Sequence, residues 1–249
     1  MREKVVSINS LSYAYPDGTQ ALKGISLDIF RGECLGLIGP NGSGKTTFVL
    51  HLNGIFLSEN NNGTVTIMGR KIGKENVKAI RKNVGIVFQD PDAQLFMPTV
   101  FDDVAFGPIN LGYDKADVKQ RVAQALTSVG MEGFEERVPH HLSMGQKKRI
   151  SIATVLSMSP EILVLDEPSA NLDPGGKWSL IETVREFSMT KIVVSHDMEL
   201  VQALCERTVI LDDGQIVADD LTENILSNMP LLRAHGLATL CKLGSRRRN

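Results

Sequence analysis

An α/β fold with a mainly parallel core sheet is predicted by three observations. First, short apolar runs recur at residues 34–38, 84–88, 162–165, 191–195 and 208–211, the pattern of strands buried on both faces. Helical patterns near 115–130, 143–158 and 177–187 lie between the later ones, and alternating strand and helix implies parallel pairing. Second, hydrophobic residues make up 42% of the 249-residue chain and aromatics only 5%, so the core is aliphatic. Third, the glycine-rich run Gly39-Pro40-Asn41-Gly42-Ser43-Gly44-Lys45-Thr46 joins the first of these strands to a helical stretch.

Before residue 40, β-like runs alternate with turn signals: residues 5–15, Pro16-Asp17-Gly18, then Ile25-Ser26-Leu27-Asp28-Ile29, then Arg31-Gly32. This predicts a β-rich entrance subdomain. A helix is expected over 45–52, stopped by Asn53-Gly54, and a strand over 63–68 before a turn at Gly69. After Val84-Gly85-Ile86-Val87-Phe88 the stretch Gln89-Asp90-Pro91-Asp92 breaks the strand and the pattern turns helical, which predicts a helical subdomain inserted over about 90–158. The segment after Leu221 is helix-compatible. No linker rich in Pro, Gly or Ser and no internal repeat divides the chain, so a single domain is expected over 1–240, with a tail at 241–249.

Lys+Arg (27) nearly balance Asp+Glu (29), for a net charge of -2. Nothing in that balance attracts nucleic acid, and Arg246-Arg247-Arg248 reads as a solvated tail. Cys34, Cys205 and Cys241 form no Cys-x-x-Cys pair, which fits a reducing compartment. The charged start and the lack of any run near the ~18 apolar residues of a span make a membrane role one of docking.

The glycine-rich run is spelled as a P-loop. Gly39, Gly42 and Gly44 let the backbone turn N–H groups onto phosphate oxygens, at a helix N-terminus that favours anions. Lys45 would neutralise the terminal phosphates, Thr46 would ligate magnesium, and Thr47 would add a phosphate hydrogen bond. Asp166-Glu167 sits at the end of Ile162-Leu163-Val164-Leu165, so one carboxylate falls by a metal and the next near the attacked phosphate; alone, such a pair could be a surface turn. Gln89 follows a strand with an amide neutral at every working pH, and otherwise would be a strand-end cap. His196 follows Ile192-Val193-Val194-Ser195. Tyr15 and Tyr13 both offer an aromatic face for an adenine ring.

These segments, with Leu142-Ser143-Met144-Gly145-Gln146 between Gln89 and Asp166, occur in an order that resembles the ATP-binding cassette (ABC) family over nearly the whole chain. The resemblance implies a P-loop NTPase cassette that binds ATP and Mg2+. Asp166, with Thr46 and Gln89, would serve the metal, Glu167 would orient and activate the attacking water, and His196 would reach the γ-phosphate; Lys45 and Gln89 would also take part in hydrolysis. Tyr15 looks like the adenine platform, with Tyr13 its competitor. Ser143, Met144, Gly145 and Gln146, whose family form is Leu-Ser-Gly-Gly-Gln, would complete the ATP site of an opposing subunit, and so would Asp173 in Ser169-Ala170-Asn171-Leu172-Asp173. Met144 departs from the family's glycine, which implies backbone of ordinary, negative φ there. Leu-Ser before a helix is equally an N-cap signal.

The stretch Phe88-Gln89-Asp90-Pro91-Asp92-Ala93-Gln94-Leu95-Phe96, continued by Pro98-Thr99-Val100 and Asp103-Val104-Ala105-Phe106-Gly107-Pro108, resembles the energy-coupling-factor ATPases, especially their cobalt and nickel branch. That implies a peripheral subunit at the cytoplasmic face of the cell membrane, paired as a homodimer or with a sister ATPase. A transmembrane coupling protein and a substrate-binding membrane protein would complete the assembly. Asp90, Asp92, Leu95 and Phe96 are expected to form the coupling surface, the two aspartates having helix-entry caps as their other reading. Vitamin and other ABC transporters, and soluble ABC ATPases, stand as alternatives.

Overall fold

The computed structural model describes residues 2–57 and 62–237; the expected tail at 241–249, with Cys241 and Arg246–Arg248, lies outside the described residues. Strands β1 (Lys4–Ala14) and β2 (Gln20–Phe30) form an antiparallel ribbon, followed by β3 (Cys34–Ile38) and α1 (Lys45–Leu52). Next come β4 (Thr64–Ile67), β5 (Arg70–Lys71), α2 (Val77–Asn83) and β6 (Val84–Val87). A 3-10 turn at Pro91–Ala93 opens a helical stretch containing α3 (Val100–Asn110), α4 (Lys115–Ser128) and α5 (Met144–Leu156). The chain then alternates β7 (Ile162–Asp166), α6 (Pro174–Arg185), β8 (Thr190–Val194), α7 (Met198–Leu204), β9 (Arg207–Asp212) and β10 (Gln215–Leu221), ending in α8 (Thr222–Ser227) and α9 (Met229–Ala234).

Two sheets result. The entrance sheet has the order β2-β1-β4-β5 and is antiparallel. The core sheet has the order β10-β9-β3-β8-β7-β6, parallel from β9 to β6, with β10 antiparallel at its edge. The core strands are buried on both faces, and the two-residue period divides their side chains between two cores. Leu35, Leu37, Val164, Ile192 and Val194 join Phe48 and the entrance sheet; Leu163, Leu165 and Val193 join the helical side.

The five apolar runs are all strands, and the helix over 45–52 matches α1. Three elements carried weaker signals. α3 has Gly107-Pro108 in its last turn, which reads in sequence as a break, but a proline near the end of so short a helix removes little of its ladder. β10 alternates exposed and half-buried residues and carries Asp219-Asp220, as suits an edge strand. α2 is seven residues long with only Ile80 buried, too short to show a period.

Leu95 corrects the expected coupling surface. The Leu95 N–H donates to Pro91 O at 2.8 Å, and the turn directs the side chain inward, where it is 1% exposed among the apolar residues of α3, α4 and α5. Phe96, one residue on, is 58% exposed. Leu95→Ala should therefore cost ~2–5 kcal/mol by urea denaturation, the range for truncating a buried leucine, whereas Phe96→Ala should stay below about 1 kcal/mol. A Leu95→Ala variant as stable as the parent would return this residue to the surface.

Candidate functional site

Because β3, β6, β7 and β8 are parallel, the loops that leave their carboxyl ends emerge at one edge of the sheet, where open α/β sheets bind ligands. Those loops carry residues 39–44, Gln89, Glu167 and Ser195-His196. Between them lies a cleft of about 300 Å³ whose walls include Tyr15, Lys45, Thr46, Gln89, Asp166 and Glu167. Gly42 and Gly44 sit at φ 80° and 101°, and Gly44 is the N-cap of α1. A β-carbon on Gly44 would run into the Ala21 carbonyl oxygen, so the loop can take this path only with glycine there.

Lys45 is buried and donates to Gly39 O at 2.9 Å and Pro40 O at 2.8 Å. Desolvation pulls its pKa down, opposed by the charges of Glu167 and Asp166, so the ammonium is primed for further anionic partners. Asn41, Gly42 and Thr47 also line the cleft, and the buried Ser43 Oγ has no hydrogen-bond partner among the described residues. The Tyr15 hydroxyl hydrogen-bonds the Thr47 Oγ1 at 2.8 Å, which ties the aromatic wall to α1 and occupies the hydroxyl expected to meet phosphate. Tyr13 instead stacks on Phe56, centroids 4.9 Å apart and planes 14° from parallel, with its edge contacts to Tyr15 and His51. Tyr15 is thus the ring on the cleft.

Asp166 ends β7, and its pKa is raised to about 6, chiefly by burial and secondly by the charge of Glu167, against the opposing effects of Lys45, Lys148 and a hydrogen bond with Thr46. Glu167 follows at φ 46°, a left-handed conformation that costs a non-glycine residue about 1–2 kcal/mol. Its N–H donates to Val194 O at 2.8 Å, which holds that turn against β8. Its carboxylate accepts from the Ser195 Oγ at 3.2 Å and the His196 N–H at 3.1 Å, and lies 2.8 Å from the His196 Nδ1. Ser195 was not singled out in the sequence; a polar residue closing an apolar strand beside His196 is the signal that could have found it.

The donor set suits a hard divalent cation. Thr46 hydroxyl, Asp166 carboxylate and the Gln89 amide are all oxygen donors on one cleft, the chemistry that magnesium takes with phosphate oxygens.

The second group of predicted residues does not line this cleft. Ser143 is the N-cap of α5, its hydroxyl accepting from the Gln146 N–H while the Gln146 side chain accepts from the Ser143 N–H at 3.0 Å, a complete capping box. Met144 begins α5 and is not among the residues of positive φ, so the methionine is accommodated in helical backbone. Gly145 is open, a β-carbon there meeting only Leu172 at 3.8 Å. Asp173 caps α6 through the Gly176 N–H at 2.6 Å, just after Asn171 at φ 63°. Asp90 caps the 3-10 turn through the Asp92 N–H, and Asp92 pairs with Lys147 of α5 at 2.7 Å. Both aspartates therefore have partners within the chain.

Comparison with known proteins agrees with this geometry. The family model described as ABC transporter matches residues 22–170. A putative ABC transporter ATP-binding protein of Streptomyces coelicolor is 53% identical over 232 residues, covering 93% of this chain and 88% of that protein. The energy-coupling factor transporter ATP-binding protein EcfA of Methanothermobacter thermautotrophicus is 47% identical over 238 residues, covering 94% and 76%. Among solved structures, cbiO1 of Clostridium perfringens, described as part of the ABC transporter complex cbiONQ, superposes with a TM-score of 0.81 at 36% identity, covering 94% of this chain and 95% of that one. The chain belongs to the ABC transporter family, as an ATP-binding subunit with ATPase activity. Gly44→Ala should weaken ATP binding at least about tenfold, because the substitution is incompatible with both the φ and the space at this position; calorimetric titration with ATP reads the loss, and unchanged affinity would show that the loop does not need this turn.

Proposed function

We propose that this chain is the ATP-hydrolysing subunit of an energy-coupling-factor ABC transporter, acting as one of a pair of ATPases at the cytoplasmic face of a membrane and energising uptake of a micronutrient. Cobalt or nickel ions are the cargo class favoured by the resemblance of residues 88–108. The observation that carries the proposal is the meeting of Lys45, Gln89, Asp166, Glu167 and His196 at one sheet edge, with the segment after Gln89 leading on to an exposed aromatic surface. That surface is Phe96 against Phe106, edge to face at 5.2 Å, with Ile109 60% exposed beyond them. Relatives named for the energy-coupling factor and for an ABC complex support the same reading.

In the reaction, the P-loop N–H groups and Lys45 hold the phosphates, and the ring of Tyr15 takes the adenine. Glu167 orients water at the γ-phosphorus and accepts its proton as the new P–O bond forms and the bridging P–O bond breaks, leaving ADP and phosphate. Ser195 and the His196 N–H fix the Glu167 carboxylate for that task. Positioning and charge stabilisation do most of the work in phosphoryl transfer. Thr46, Asp166 and Gln89 would hold magnesium, which would supply neutralisation of phosphate charge. Ser143, Met144, Gly145, Gln146 and Asp173 lie off this cleft and are left to face a second ATPase. Phe96, Phe106 and Ile109 offer apolar area to the transmembrane coupling protein, in place of the surface once expected to include Leu95. A substrate-binding membrane protein completes the assembly, and the cargo does not touch this chain.

Glu167→Gln keeps the shape of the side chain and removes its charge, so ATP binding should persist while turnover falls by roughly 10²-fold or more; near-normal steady-state hydrolysis by the purified variant would remove Glu167 from the water-orienting role. For coupling, Phe96→Ala with Phe106→Ala should lose ~1–3 kcal/mol of docking per well-buried ring. Co-purification of the transmembrane subunit should drop while ATP affinity stays at the parental value. Normal assembly and wild-type uptake by the double variant would deprive this surface of a coupling role.

A further inference from the structure

Lys148 is the most deeply buried lysine among the described residues, 2% exposed on α5. A buried ammonium persists only where its protons are met, and the partners here are two backbone carbonyls: Gln89 O at 2.6 Å and Glu167 O at 3.2 Å. One belongs to the loop after β6 and the other to the loop after β7. The side chain therefore joins three segments that come from distant parts of the sequence. Burial pulls its pKa down, while the charges of Glu167, Asp90 and Asp166 favour the ammonium.

The neighbouring side chains of α5 grip only one of those loops. Lys147 pairs with Asp92, and Gln94 donates to Ser151 O at 2.8 Å and Thr154 Oγ1 at 2.7 Å while its own oxygen accepts from the Phe88 N–H. Positions 147, 148, 151 and 154 recur at helical spacing, so one face of α5 carries the segment 89–94. Lys148 alone among these four also reaches the residue after β7. Its contact falls on Glu167, whose left-handed φ of 46° makes the direction of its carbonyl depend on a conformation that needs support from outside the residue.

We propose that Lys148 is a positioning residue for ATP hydrolysis, locking the backbones of Gln89 and Glu167 to each other and to α5 so that both side chains meet the attacking water in one fixed relation. This deepens the reading of Glu167 and Gln89 given above and rests on it. A displacement of α5 then moves both groups together.

The test compares steady-state hydrolysis and calorimetric ATP binding for the full chain and for Lys148→Met, Lys148→Gln, Gln89→Ala and the Lys148→Met/Gln89→Ala double variant, with Glu167→Gln as reference. Lys148→Met should lower kcat about tenfold or more while KM for ATP stays within about twofold, the signature of an interaction that matters in the transition state. Lys148→Gln, which keeps a donor on a slightly shorter stem, should recover part of that loss. In the Gln89→Ala background the methionine should cost less than about threefold, because groups acting as a unit are not additive. A residue that merely fills the core would leave kcat per folded molecule within about twofold, or give fully additive losses, and either result overturns the proposal. If Lys148→Met does not fold, Lys148→Gln decides: a selective kcat loss supports the proposal and an unchanged kcat overturns it. Full hydrolysis by Glu167→Gln would instead refute the reading of Glu167, a separate outcome.

Discussion

Parallel pairing of β3, β8, β7 and β6 is the constraint on which the rest of the structure depends. Strands that run the same way deliver their carboxyl ends to the same edge, so residues more than a hundred positions apart arrive at one cleft without any contact between them needing to be built separately. The requirement is strict, since a one-residue slip of register turns every side chain to the opposite face. Here register is secured by burial on both sides: Ile162, Val164, Ile192 and Val194 fill one core while Leu163, Leu165 and Val193 fill the other. Slipping one strand would exchange its two sets of packing partners at once.

Much of this was legible because buried parallel strands leave a compact signature. The runs 34–38 and 162–165 are apolar along their whole length and match observed strands, the second extended by Asp166, and Gly44 advertises a turn that only glycine can make. Leu95 and Phe96 show where reading by sequence fails. Both are large and apolar and both follow the same turn, yet one is core and the other surface, because the 3-10 geometry at Pro91–Ala93 sets their directions and no periodicity extends over so few residues. Capping produced the opposite ambiguity. Ser143 and Asp173 carry sequence signals compatible with either a cap or a contact to another molecule, and in this chain both are caps. A cap leaves lone pairs and an exposed helix start, so the two readings are compatible.

Lys148 and Ser195 escaped for a different reason. Each looks like an unremarkable polar residue next to a recognisable motif, and its importance comes from contacts across the sequence: 59 residues from Lys148 to Gln89, and 28 from Ser195 to Glu167. Linear spacing holds no trace of such a pairing. The only available hint is negative, a charged or hydroxylated side chain at a position where the element's pattern calls for burial, as Lys148 does just before Ile150, Ile152 and Ala153.

Charge balance explains why the cleft can tolerate these buried groups. Asp166 and Glu167 are each 8% exposed, and Lys45 and Lys148 are 9% and 2% exposed, so two potential anions face two cations in a region of low dielectric. Leaving any one of them alone would be costly. The two lysines nevertheless differ in how they are held. Lys45 bonds carbonyls of its own loop, so its position follows the P-loop and β3, whereas Lys148 rides on α5 and bonds the loops after β6 and β7. A shift of α5 would therefore leave the first cation in place while carrying the second along with the backbones of Gln89 and Glu167. Through that difference the helical stretch that presents Phe96 and Phe106 is connected to the Glu167 backbone.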